Sequence, residues 1–135
     1  MSSLRTEDTM KQWISRLFYL SALYDGILGG VFLFFPASIF QWQGITPPNH
    51  IGYVQFPAAL LLVFAIMFFN IARDPVRNRG LIPYGILLKI SYCGVTLWHW
   101  VFGGIPAMWK PFVVFDAVFA VLFIWAFVTL GRERR

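Results

Sequence analysis

Charge is what this sequence is short of. Only 13% of its residues are Asp, Glu, Lys or Arg, against roughly 25% in soluble domains, while 59% are hydrophobic. A soluble fold of 135 residues cannot cover that much apolar surface with so few charges, and a mean hydropathy of +0.67 points to lipid as the solvent. Cysteine is reduced to Cys93, inside an apolar stretch, which excludes an intrachain disulfide and a Cys-based metal site. His50 and His99 lack the spacing of a helical metal or haem pair, so no metal is expected from this chain alone. No nucleophilic-serine motif, phosphate-binding P-loop or dinucleotide fingerprint is present. The net charge of +5 does not indicate nucleic acid, because the basic residues stand in short clusters between apolar blocks and not along one face. There is no internal repeat and no low-complexity tract.

What the sequence has is four apolar blocks, at about 14–35, 51–72, 81–102 and 112–130. Each is near the roughly 20 residues a helix needs to cross a hydrocarbon core. Backbone groups in lipid must be satisfied within the segment, which makes the blocks helices. The expected fold is therefore all-α, a bundle of four transmembrane helices forming one membrane domain over 1–135. The first block is too long for a signal peptide and carries Asp25, so it reads as a retained helix. Pro57 and Pro83 fall in the first turns of their blocks, where a missing N–H costs least. The other prolines mark loops or helix starts. The loop from Pro36 to His50 contains "SIFQWQG", a mixture suited to lying on a membrane surface.

Orientation follows from the basic residues. Arg5, Lys11, Arg16, Arg73, Arg77, Arg79, Arg132, Arg134 and Arg135 fall on one side of four crossings, and only Lys110 on the other. The positive-inside rule then places both termini in the cytoplasm, in a plasma membrane or bacterial inner membrane. Trp13, Trp42, Trp98, Trp100 and Trp109 stand near block ends, as interfacial aromatics do.

Ionisable residues inside such helices are costly and usually face the bundle interior. With Arg16, Arg79 and Arg132 as inner-face marks, Asp25 and Lys89 both lie about 14–15 Å deep at 1.5 Å per residue, Asp116 roughly 24 Å and His99 roughly 30 Å. On the third block Lys89, Tyr92, Thr96 and His99 share an arc of roughly 80°. Gln55 lies at a depth similar to Asp116, which shares its face with Phe112, Phe119, Phe123 and Phe127. Asp25, Gln55, Lys89, Tyr92, His99 and Asp116 are therefore the candidate ligand-binding residues. They suggest a pocket opening outward with a Phe-rich wall, its ligand expected between the third and fourth blocks. The plainer alternative is that Lys89 pairs with Asp25 or Asp116 and fixes helix register. Ala22, Gly26 and Gly30 form a small-residue ridge suited to packing within the bundle or, alternatively, to a homo-oligomer contact.

The "GILGGVFLFFP" end of the first block, the "FQWQG" loop, the "RDPVRNRGLIPYG" turn and the "FVVFDAVFAVLFIWAF" block together resemble the DoxX-like group of small four-helix membrane proteins, over most of the chain. That resemblance implies a four-helix bundle, often an accessory part of membrane oxidoreductase systems, and maps only Asp116.

The residues identify no cofactor, and no catalytic residue. Three functions fit them. The first is a non-catalytic membrane component binding a lipophilic small molecule or a partner subunit within the bundle. The second is an enzyme acting on a lipid or quinone-like substrate through Asp, Lys or His acid–base groups. The third is a small proton-coupled transporter or channel, against which the strong charge bias argues if dual insertion is required.

Overall fold

The computed structural model describes residues 2–133. Arg134 and Arg135 of the C-terminal basic cluster lie outside the described residues. Among the described residues every regular element is helical: α1 (Ser2–Phe34), α2 (Pro36–Gln43), α3 (Gly52–Arg73), α4 (Ile82–Phe102) and α5 (Lys110–Glu133), with 3-10 turns at Arg79–Leu81 and Ala107–Trp109. Four helices, α1, α3, α4 and α5, are long and apolar enough to cross a membrane. Their outward faces are apolar, with Leu23, Ile27, Phe56, Val63, Val101 and Val121 all exposed. That is the pattern a lipid-facing bundle requires.

α1 starts about three turns before the apolar block. Polar residues there, such as Thr9, whose hydroxyl donates to the Arg5 carbonyl at 2.8 Å, continue the helix without burying apolar surface. α2 occupies the long loop. Pro36 opens it, where a missing N–H is harmless, and Gly44 closes it at φ 67°, a left-handed conformation that favours glycine.

α1 packs closely along α3, and α4 along α5, while the seams between these two pairs are looser. At the end bearing the termini the seams are closed. Phe18 stacks on Phe123 at 4.7 Å, Phe68 lies 5.2 Å from Phe123, and Ile14, Ile71, Ile82 and Leu130 complete a buried core. Ser15 donates to the Ala72 carbonyl at 2.6 Å, tying α1 to α3. Arg79 donates through Nε to the Phe127 carbonyl at 2.9 Å and lies 3.8 Å from that residue's ring. This charge-assisted contact ties the turn before α4 to the last part of α5.

Close approach depends on particular glycines. A β-carbon at Gly85 would stand 2.6 Å from the buried Phe68 ring and 3.6 Å from Phe123. Gly85→Ala is expected to cost about 1–3 kcal/mol through overpacking, read as a lower unfolding temperature in detergent.

Candidate functional site

Above the closed core the two helix pairs part, and charged side chains bridge them at the fork. Asp25 comes from α1, Lys89 from α4 and Asp116 from α5. The Lys89 ammonium donates to Asp25 Oδ1 at 2.9 Å and Oδ2 at 3.2 Å, and to Asp116 Oδ1 at 3.2 Å. The one ammonium thus holds both carboxylates. Lys89 and Asp25 are each 1% exposed and Asp116 is 8% exposed. The ammonium also lies 5.3 Å from the Tyr24 ring, 5.2 Å from Phe119 and 5.7 Å from Phe68. Charges so deep are tolerated only when paired and hydrogen-bonded. The bridge joins the α1/α3 pair to the α4/α5 pair, so it holds the fork together.

A cavity of about 370 Å³ stands on this bridge. Asp25, Phe32, Ala58 and Asp116 are its buried lining, and Leu28, Phe64, Leu88, Tyr92, Trp109 and Phe112 its walls. Tyr53, Pro57 and Leu60 line it too and are exposed, so its mouth faces sideways between α3 and α4. A second hollow of about 530 Å³ lies on the α1/α5 side, between α2 and the turn before α5. Leu28, Phe32 and Phe112 line both hollows.

Of the six candidates, the structure brings together Asp25, Lys89 and Asp116, with Tyr92 on the cavity wall. Tyr92 also donates to the Trp109 carbonyl at 3.1 Å, fastening α4 to the turn before α5. Gln55 lies elsewhere. Its amide donates to the Leu33 carbonyl at 3.2 Å, satisfying one of the unpaired carbonyls at the end of α1. His99 is exposed and does not line the cavity. His50 accepts from the Gly52 N–H at 3.0 Å at the start of α3.

The third and fourth spans, between which a ligand is expected, both line the cavity, through Leu88, Tyr92, Phe112 and Asp116. α4 and α5 pack closely against each other, with the Cys93 thiol 3.4 Å from the Val113 carbonyl. The cavity opens between the second and third spans. The residues that sequence reasoning missed are Phe32, Phe64 and Trp109. Trp109 is not an outward interfacial anchor. It packs inward, stacked on Phe32 at 5.6 Å and against Phe40 of α2 at 6.4 Å. Its neighbours Pro106 and Pro111, which force a turn there, were the available signal.

Fold and site define a bundle of four membrane-length apolar helices around a buried Asp–Lys–Asp bridge, with a lateral cavity above it. Compared with known family models, curated proteins and solved structures, the chain matches none.

Proposed function

We propose that this protein is a non-catalytic membrane component that binds a lipophilic small molecule in the cavity between α3 and α4. The observation that carries this reading is the cavity itself. It is apolar, of the size small molecules use, and has a few polar groups at one end. Its sideways mouth suits a ligand arriving from the bilayer. The basic clusters support both termini facing the cytoplasm, so that the cavity lies in the outer half of the membrane. The resemblance to DoxX-like proteins agrees with an accessory role.

The test is direct. Protein extracted into lipid nanodiscs under mild conditions is expected to carry a co-purifying small molecule, seen by native mass spectrometry and lipid extraction. Val54 lines the cavity and is half-buried. Val54→Trp is expected to fill the mouth and lower that occupancy by about tenfold or more, with little change in unfolding temperature. A wild-type protein recovered bare, or equal occupancy in the variant, overturns the reading.

A further inference from the structure

The cavity has walls of one chemistry and an end of another. Two carboxylates share a single ammonium at its base, and among the described residues no Lys, Arg or His lines it. With all three groups ionised the bridge carries one negative charge more than it balances. Both Asp25 oxygens are engaged by Lys89, whereas Asp116 engages it through Oδ1 alone. The Asp116 side chain, 11% exposed, lies on the cavity wall. The same cavity is lined by the aromatic residues Phe64, Tyr92, Trp109 and Phe112, and aromatic rings attract cations through their negative faces.

We propose that the cavity takes a lipophilic ammonium: a molecule with one cationic nitrogen and an apolar body. The nitrogen sits beside Asp116, among the aromatic rings, and the body extends toward the mouth between α3 and α4. This deepens the reading above and rests on the cavity holding a ligand. An anionic head group does not fit, because Lys89 is already paired with both carboxylates and does not line the cavity, whereas two carboxylates do. A purely apolar occupant fills the space but gives the aromatic faces and the carboxylate at its base nothing cationic to attract. The charge count and the aromatic walls are independent features, and both favour the same class of ligand.

Two matched probes test this. Phenylbutyl-trimethylammonium carries a permanent charge at every pH, and its carbon isostere has a tert-butyl group in place of the trimethylammonium. Binding of each to the full chain in nanodiscs is measured by equilibrium dialysis, with empty nanodiscs subtracting partition into lipid. The ammonium is expected to bind about tenfold tighter than its isostere, the size of a desolvated cation–aromatic contact. Asp116→Asn is expected to remove that preference while leaving the isostere's affinity unchanged. Should Asp116→Asn fail to fold, Phe112→Leu keeps an apolar wall, removes a ring, and is expected to reduce the preference partially. Equal binding of the two probes overturns the cation assignment and leaves the ligand-binding reading standing. Ammonium binding indifferent to both substitutions overturns it as well. If neither probe binds and the wild type also carries no co-purifying molecule, both readings fall.

Discussion

Lys89→Met is expected to destabilise the protein by about 3–5 kcal/mol, the range for removing one partner from a buried charge pair. The reason lies in what remains. Asp25 and Asp116 both lose their shared cation, and both are buried between helix pairs whose seams are otherwise loose. Asp25→Asn is expected to cost less, about 1.5–3 kcal/mol, because Lys89 keeps Asp116 and loses charge-assisted bonds at one carboxylate. Asp116→Asn is expected to fall within about 1 kcal/mol of wild type, since the Lys89–Asp25 pair is neutral by itself. A bridge of three also changes how pairing is tested. The double variant Asp25→Asn/Lys89→Met leaves Asp116 without a cation and is not expected to recover. The triple variant adding Asp116→Asn is expected to recover most of the loss, and this non-additivity is the signature of coupled groups. Reversible unfolding in bicelles by steric trapping reads all five. A Lys89→Met protein as stable as wild type would show that the bridge does not hold the fork.

The bridge was half legible in the sequence. Asp25 and Lys89 fall at the same depth when counted from Arg16 and Arg79, and the structure pairs them. Counting from Arg132 at 1.5 Å per residue places Asp116 roughly 9 Å farther out. Arg132 is the wrong mark. Arg79 reaches the Phe127 carbonyl, so the level of Arg79 on α5 is Phe127, five residues earlier. Counted from there, Asp116 lies about 16–17 Å in and Lys89 about 15 Å, within bonding reach. Charges at a helix end mark where the chain leaves the membrane, but adjacent helices need not leave at the same height.

The same distinction governs the rest of the fold. Long apolar runs are local, and they mark the four membrane-length helices, though α1 begins well before its apolar run. The inward turn of Trp109, the position of Gln55 and the seam that opens are set by which helices pair. A periodicity along one helix does not state its neighbour. His99 shows the consequence. It lies on the same arc as Lys89, but three turns of helix carry it beyond the packed region, where it is exposed. α2 had the proline and glycine that bound it, and needed only a partner, which Phe40 finds in Trp109.

Helix pairing also decides the small-residue ridge, and here neighbouring glycines are expected to behave in opposite ways. Gly26 meets Ala65 at ordinary contact distance, 3.7 Å from a built β-carbon, and Gly30 has nothing within 4 Å. The close approach is at Gly29, where a β-carbon would stand 2.7 Å from the Ala58 carbonyl oxygen and 3.1 Å from the Leu61 β-carbon. A backbone carbonyl cannot swing aside, so Gly29→Ala must push α3 from α1. The expected cost is about 1–3 kcal/mol. Gly30→Ala adds a methyl group into open space and is expected to change stability by no more than about 0.5 kcal/mol. Ala58 and Leu61 also line the cavity, so displacing α3 reshapes the wall. Gly29→Ala is therefore expected to lower occupancy by the co-purifying molecule as well as the unfolding temperature, while Gly30→Ala leaves both unchanged. Equal effects from the two substitutions would mean that the α1–α3 contact is not the tight seam against which the cavity is built.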